Sequence, residues 1–218
     1  MDHRDHSNGE GRRRLIVMDV DSTFITAEQI DLLATRAGTG EQVAAITERA
    51  MAGELDFAAS LTERVATLAG LPVEVLAEVR AEISLSPGAA ELVTAAQARD
   101  WPLALVSGGF HEIVDPIAAG LGITRVRANR LQAREGVLTG RIAGPIVDRA
   151  AKATWLRTFA AEEGIDLIDT VAIGDGANDL DMLAAAGLGI AFHAKPVVAA
   201  QADRAITDGG LDQVLTWL

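Results

Sequence analysis

The chain has 218 residues, a formal net charge of −12 and an apolar fraction of 49%. This length and apolar content suit one domain, or one domain with a smaller insertion, around a packed core. The acidic charge opposes binding to nucleic acid or to an anionic membrane surface, and the lack of cysteine excludes disulfides and thiol chemistry.

The first 13 residues, MDHRDHSNGEGRR, are polar and predict a disordered leader. No apolar stretch of the sequence is long enough to cross a bilayer, and no signal-like apolar segment precedes Leu15. We therefore expect a cytoplasmic protein whose partners include neither a membrane nor a nucleic acid.

Short apolar runs that end at small or acidic residues predict strands at 15–20, 103–106 and 170–173, with a fourth candidate at 189–192. Alanine-rich amphipathic stretches such as PGAAELVTAAQARD and DLDMLAAAG predict helices between them. This alternation predicts an α/β fold with a doubly wound, mostly parallel sheet, in which ligands bind at the carboxyl ends of the strands.

Two segments interrupt the alternation. Residues 28–83 have helical patterns without an obvious strand, so we expect them to form a helical cap inserted into a core domain of 14–27 and 84–218. Residues 126–148 contain two partly alternating runs separated by Gly136, which is typical of a hairpin.

The first apolar run ends in DVDST, with Asp19 and Asp21 separated by one residue. Residues two apart on a strand share a face, so both carboxylates could enter one volume. Two close carboxylates repel each other unless a cation or a shared proton is present. Oxygen ligands of this kind suit Mg²⁺, which also binds substrate phosphate.

Two further loops carry groups that suit a phosphate. The motif SGGF offers the Ser107 hydroxyl and the amides of Gly108 and Gly109 at an expected strand-to-helix turn. The motif GDGANDL offers Asp175 as a further ligand. Asn178, Asp179 and, from DRAAKATWL, the cation Lys152 complete the set. Each residue alone has an ordinary explanation as a turn, helix cap or surface residue, but together at converging strand ends they indicate a phosphate site.

In this order, DVDST, SGG, a lysine and GDGAND resemble the haloacid dehalogenase superfamily of phosphatases. The resemblance implies a Rossmann-like core in which Asp19 is the nucleophile and forms an aspartyl-phosphate, while Asp21 protonates the leaving oxygen and activates water. It also implies a bound Mg²⁺ and groups that hold the phosphoryl oxygens. The Mg²⁺ ligands would be Asp19, Asp175 and the backbone carbonyl of Asp21, with Asp179 in support, and the phosphoryl-binding residues would be Ser107 and Lys152, beside Gly108, Gly109 and Asn178.

The expected cap carries a second resemblance. Glu28, Met51, Phe57 and Arg64 form a pattern similar to that of the phosphoserine phosphatase family, which also resembles the rest of the chain from Leu15 onward. The resemblance implies that Glu28 and Arg64 bind the ammonium and carboxylate of phosphoserine, while Met51 and Phe57 shield the site. The expected activity is Mg²⁺-dependent hydrolysis of O-phospho-L-serine, the last step of serine biosynthesis.

Two alternatives remain open. A related phosphatase or phosphotransferase could act on another small ester such as phosphothreonine or phosphohomoserine, because one methyl group changes affinity by only about 1–3 kcal/mol. A signalling receiver domain also combines acidic residues, a lysine and a phosphorylated aspartate. The expected cap and the second aspartate of DVDST favour an enzyme.

Overall fold

A computed structural model of the chain describes residues 12–218. The predicted leader therefore lies outside the described residues, except for Arg12 and Arg13. Arg12 pairs with Asp169 at 2.9 Å, and Arg13 pairs with the carboxylate of Glu163 at 2.7 Å. Within the described part, no helix combines the length and the apolar content that crossing a membrane requires. The expected cytoplasmic location stays a prediction.

A six-stranded parallel sheet forms the centre of the fold, with strand order β3-β2-β1-β6-β7-β8. Its strands are β1 (Leu15–Met18), β2 (Leu103–Phe110), β3 (Arg125–Asn129), β6 (Thr170–Gly174), β7 (Leu188–Phe192) and β8 (Arg204–Ile206). The prediction of a doubly wound α/β fold is confirmed. Because β1 lies between β2 and β6, the loops that follow these three strands meet at one edge of the sheet.

Strand β1 is apolar throughout because both faces of the sheet are covered. Ile16 and Met18 pack into the hydrophobic cluster on one face, and Leu15 and Val17 pack into the cluster on the other. The alternation of side chains along a strand therefore joins one short segment to both halves of the core.

Helices cover the two faces and the end of this sheet. Their bounds are α1 (Gln29–Ala37), α2 (Gly40–Met51), α3 (Phe57–Ala66), α4 (Val75–Glu82), α5 (Ala89–Ala98), α6 (His111–Gly120), α7 (Arg149–Glu163), α8 (Leu180–Ala185) and α9 (Pro196–Ala199). Helices α5 and α7 lie on opposite faces, since Leu92 belongs to one core cluster and Leu156 to the other.

Helices α1 to α4 occupy the segment expected to be helical. They share a third hydrophobic cluster that includes Leu33, Leu61 and Val79, and this cluster also takes in Phe110 and Ile113 from the strand end and helix that follow. The helices therefore have a core of their own that rests on the edge of the sheet where the loops after β1, β2 and β6 meet. Their division from the rest of the chain as a separate cap domain stays a prediction.

The expected hairpin is present, as β4 (Leu131–Arg134) and β5 (Val137–Ile142), with Gly136 in the turn. The sequence analysis did not recognise β3 and β8 as strands of the main sheet. Both lie at its edges and carry arginines, so their sequences lack the continuous apolar pattern of the central strands. The first strand is also two residues shorter than the predicted range of 15–20, since it ends at Met18.

The hairpin is joined to the helical segment by backbone hydrogen bonds. Gly70 N donates to Leu138 O at 2.8 Å, Leu138 N donates to Leu71 O at 2.8 Å, and Val73 N donates to Gly136 O at 3.0 Å. The hairpin is therefore hydrogen-bonded to the segment between α3 and α4.

Gly140 of β5 lies close to Ala66 at the end of α3. It has a φ of +74°, and a Cβ there would lie 3.0 Å from both Ala66 O and Ala69 Cβ. We expect Gly140→Ala to lower the free energy of unfolding by about 2–3 kcal/mol, from backbone strain and this close contact together.

Gly144 provides the matched control, since its φ is +82° but a Cβ there would meet nothing within 4 Å. Gly144→Ala should cost about 1 kcal/mol, from backbone strain alone. Urea unfolding of both variants and the wild type measures the difference, and equal losses would show that the hairpin does not press against α3.

Candidate active site

The turn after β1 holds the two aspartates of DVDST apart. Asp19 leaves the strand in an extended conformation, and its amide donates to Ile173 O of β6 at 2.9 Å. Ser22 then has a φ of +58°, which turns the chain sharply. The two residues do not share a strand face, because the strand has ended before both, but both line the same cavity. Their carboxylates have different partners.

The Asp19 carboxylate belongs to a buried cluster with Asp175 and Asp179, in which one carboxylate oxygen of each residue lies within 4.8 Å of the others. Lys152 Nζ, which is fully buried on α7, donates to Asp19 Oδ1 at 2.5 Å and to Asp179 Oδ1 at 2.6 Å. Thr23 donates to Asp175 Oδ1 at 3.0 Å. Three carboxylates around one ammonium leave excess negative charge, so this cluster could hold a metal ion.

The pKa values follow from this arrangement. Burial, followed by repulsion from Asp179, raises the pKa of Asp19 well above its ordinary value. The same two causes raise the pKa of Asp175 to about 6. Burial alone would lower the pKa of Lys152, but attraction to Asp179 and Asp19 outweighs it and raises that pKa, so the lysine stays charged.

The Asp21 carboxylate faces the start of α1. Gln29 Nε2 donates to its Oδ1 at 2.5 Å, and Gln29 N donates to its Oδ2 at 3.2 Å. Burial, followed by repulsion from Glu28, raises the pKa of Asp21 to about 7, although the bonds from Gln29 oppose this rise. Such a group can both donate and accept a proton near neutral pH.

The SGG motif lies inside the end of β2, whereas the sequence predicted a turn, and α6 begins only at His111. Ser107 is fully buried, and its Oγ accepts a hydrogen bond from Gly109 N at 2.8 Å. A Cβ on Gly108 would lie 2.9 Å from the Phe57 ring. Glycine is therefore needed at position 108 because a side chain from α3 packs directly against the strand.

Asn129 at the end of β3 is a functional candidate that the sequence analysis missed. It is 1% exposed; its Nδ2 donates to Gly108 O at 2.8 Å, and its Oδ1 accepts from Val147 N at 2.8 Å. It thereby fixes the SGG backbone to the segment before α7. The sequence signal for Asn129 is a polar residue at the end of a strand, and this signal can be used only if β3 is recognised as a strand. Gln29 and Thr23 were also missed.

A cavity of about 580 Å³ lies between the sheet edge and the helices. Its lining includes Asp19, Asp21, Glu28, Met51, Phe57, Arg64, Gly108, Gly109, Asp175 and Asn178. The structure thus brings most of the candidate residues around one space, while Ser107, Lys152 and Asp179 are fully buried behind its wall. Met51, expected to shield the site, is 69% exposed and lies at the mouth.

Glu28 and Arg64, the two charged candidates from residues 28–83, have different environments. Glu28 Oε1 accepts from Ser22 Oγ at 2.6 Å. Arg64 is half-buried, and its Nε donates to Ser60 O at 3.3 Å. Burial lowers the pKa of Arg64, although it remains a strong base. Among residues 12–218 no carboxylate pairs with its guanidinium, so a charged fork faces the cavity without a counterion.

Comparison with known proteins identifies the family. The haloacid dehalogenase-like hydrolase model matches residues 16–184, which is most of the chain. The chain belongs to the haloacid dehalogenase-like hydrolases. This matched range begins in β1 and ends in α8, so it contains the acidic cluster, the SGG segment of β2 and Lys152 of α7. The predicted membership of this superfamily is confirmed.

Within the haloacid dehalogenase-like hydrolases, the chain is similar to phosphoserine phosphatases. It is 53% identical over 203 residues to that of Mycobacterium tuberculosis, covering 93% of this chain and 50% of that protein. It is 52% identical over 201 residues to that of Streptococcus thermophilus, covering 92% of this chain and 94% of that one. The chain thus spans about half of the first relative and nearly all of the second.

A solved substrate-bound phosphoserine phosphatase complex matches this structure with a TM-score of 0.90 and 41% identity. The match covers 96% of this chain and 100% of that one. The predicted resemblance to phosphoserine phosphatases is therefore confirmed in sequence and in fold.

Lys152 should be essential for stability because it is the buried cation of the acidic cluster. We expect Lys152→Met to lower the free energy of unfolding by about 3–5 kcal/mol near neutral pH in the presence of chelator. Lys195→Met, at an exposed position, is the control and should have little effect.

The loss should depend on pH with a defined sign. The pKa of Asp175 is raised from 3.8 to about 6 in the folded chain, so the folded state binds protons more tightly and stability falls as pH rises through this window. Removing Lys152 should steepen this fall, which makes the variant's loss smaller at about pH 5 than at about pH 7.5. Urea unfolding at both values measures it, and a loss independent of pH would contradict the charge argument.

Proposed function

We propose that this chain hydrolyses O-phospho-L-serine to L-serine and phosphate through an aspartyl-phosphate intermediate. The observation that carries the proposal is that one cavity is lined both by Asp19 and Asp21 and by Glu28 and Arg64. Within residues 12–218 no carboxylate forms an ion pair with the Arg64 guanidinium. The two aspartates suit phosphoryl transfer, and Glu28 with Arg64 suits the ammonium and carboxylate of an amino acid. The similarity to phosphoserine phosphatases supports the same assignment.

The cofactor in this proposal is Mg²⁺. The carboxylates of Asp19 and Asp175 and the backbone carbonyl of Asp21 would hold it, with Asp179 in support, and hard oxygen donors of this kind suit Mg²⁺. When bound, Mg²⁺ supplies positive charge that lowers the repulsion within the cluster and attracts the phosphate. The raised pKa of Asp175 supports this role, since protons would otherwise take up the excess charge.

In the first step, a carboxylate oxygen of Asp19 attacks phosphorus, and the bond from phosphorus to the serine oxygen breaks. Asp21 transfers its proton to that leaving oxygen, which gives free serine. Lys152 holds the other Asp19 oxygen, so the nucleophile keeps one orientation during the attack. A pKa of about 7 lets Asp21 carry this proton near neutral pH.

In the second step, Asp21 accepts a proton from water, whose oxygen attacks phosphorus. The bond from phosphorus to Asp19 breaks, which restores the carboxylate and releases phosphate. Gly108 and Asn178 line the cavity and would bind the phosphoryl oxygens through the Gly108 backbone and the Asn178 side chain. Ser107 is buried directly behind this wall and would join them once its hydroxyl turned toward the phosphate. The Gly109 amide already donates to Ser107 Oγ, so we assign it to shaping the loop.

Recognition of the amino acid would use the helical segment. Arg64 offers a planar fork for the substrate carboxylate, and Glu28 offers a carboxylate for the ammonium group. Phe57 packs against Gly108 and would cover the substrate from the side. Met51 stands exposed at the mouth, so we propose that the end of α2 moves inward when substrate binds.

The first experiment measures phosphate release from L-phosphoserine by the wild type and Asp19→Asn, with Mg²⁺ and with chelator. We expect Mg²⁺-dependent turnover in the wild type and a loss of at least about 10³-fold in the variant, since an amide cannot act as this nucleophile. Chelator should abolish the wild-type activity.

The outcomes separate the alternatives. Equal turnover of phosphothreonine would indicate a phosphatase for small esters in general. A long-lived phosphorylated chain without turnover would favour a receiver-like domain and would falsify the proposed hydrolase.

Arg64 should determine the preference for a carboxylate. We expect Arg64→Met to lower kcat/KM for phosphoserine by about 10²-fold or more, since a charged hydrogen-bonded pair is lost. Phosphoethanolamine lacks the carboxylate and should be a poorer substrate for the wild type. Its kcat/KM should therefore differ by less than about threefold between the wild type and Arg64→Met. Arg134→Met on the exposed hairpin is the control. Equal losses on both esters would show that Arg64 serves the fold and not the substrate.

A further inference from the structure

Gln29 is a fully buried polar residue at the first position of α1, and the mechanism above gives it no role. Its side chain reaches away from its own helix and contacts two of the active-site loops. A buried amide that only served packing would be replaced at lower cost by an apolar residue, because each of its polar atoms must find a partner.

The partners of Gln29 belong to different elements. Nε2 donates to Asp21 Oδ1 at 2.5 Å, and the backbone N donates to Asp21 Oδ2 at 3.2 Å, so one residue holds both oxygens of that carboxylate. Oε1 accepts from Phe110 N at 2.9 Å, at the end of the SGGF segment. The amide therefore links the Asp21 turn to the end of β2.

The backbone of β2 makes room for this link. A Cβ on Gly109 would lie 2.3 Å from Gln29 Nε2, so position 109 requires glycine for as long as Gln29 occupies its place. The side chain, the strand and the carboxylate thus fit together as one unit. Because both carboxylate oxygens of Asp21 have donors in Gln29, rotation of the carboxyl group is restricted.

We propose that Gln29 is a positioning residue that holds the Asp21 carboxyl group in the orientation required for proton transfer to the leaving oxygen. This inference rests on the proposed function. The group responsible is the side-chain Nε2 of Gln29, which donates to Asp21 and thereby orients its carboxyl group. The side-chain Oε1 of Gln29 has a structural role, since it accepts a hydrogen bond from Phe110 N.

Two substitutions separate these parts. Gln29→Glu keeps the volume and an oxygen that can accept from Phe110 N, but it replaces the donor to Asp21 with a second oxygen. Gln29→Met keeps a similar volume and removes both side-chain hydrogen bonds, while the backbone N–H can still donate to Asp21. Gln42→Met, at an exposed position on α2, is the matched control. Thermal unfolding of each variant shows whether it is folded before its kinetics are compared.

The decisive measurement compares kcat/KM for phosphoserine with that for p-nitrophenyl phosphate in the presence of Mg²⁺. The aryl leaving group departs without a proton, whereas the serine oxygen needs one, so only phosphoserine depends on the acid in the steps that kcat/KM reports. For both Gln29 variants we expect a loss of about 10- to 100-fold with phosphoserine, mainly in kcat, and less than about threefold with the aryl ester.

Each outcome has a distinct meaning. Equal losses on both esters, or a loss confined to Gln29→Met, would overturn the proposal and leave Gln29 as a structural link to Phe110. Wild-type kinetics in Gln29→Glu would also overturn it. If the wild type hydrolyses p-nitrophenyl phosphate but not phosphoserine, the proposed substrate fails. In that case an alkyl phosphate such as glycerol phosphate, whose leaving oxygen also needs a proton, replaces phosphoserine in the test. If folded Gln29→Met hydrolyses it at the wild-type rate, the positioning role fails, whatever the natural substrate is.

Discussion

The bonds from the ammonium of Lys152 to Asp19 and Asp179 are the interaction on which the rest of the site depends. They bring α7 to the ends of β1 and β6 and place a cation where three carboxylates meet. A buried charge without a partner is strongly destabilising, so neither the lysine nor the acidic residues could occupy this position alone. The excess negative charge that remains would attract a divalent cation, and the bound cation would in turn attract a phosphate.

The two aspartates of DVDST have separate environments because the strand ends before them. Asp19 lies among charges, while Asp21 lies against the donors of Gln29 at the start of α1. Repulsion from Asp179 and from Glu28 then adds to burial to raise each pKa by a different route. One motif can therefore supply a nucleophile and an acid, since the turn assigns each carboxylate to its own surroundings.

The helical segment connects this chemistry to a cavity. Phe57 at the start of α3 packs on Gly108, and Ala66 at its end lies against Gly140 of the hairpin, so α3 lies between the strand and the hairpin. Arg64 on the same helix is thereby kept at the cavity wall. By contrast, Met51 at the end of α2 is 69% exposed, although Arg49 of the same helix pairs with Glu63 of α3 at 2.7 Å.

The sequence by itself determined the fold class and the central strands, and it indicated the acidic, serine and lysine residues near the strand ends, because buried parallel strands are apolar and end at recognisable motifs. It also indicated the helices of 28–83 and the hairpin at Gly136. Only the tertiary structure decided that SGG continues a strand, that Asp19 and Asp21 face different partners, and that Gln29 and Asn129 join the loops. These features depend on contacts between residues far apart in the chain, such as Gln29 with Phe110, and local periodicity carries no information about such pairs.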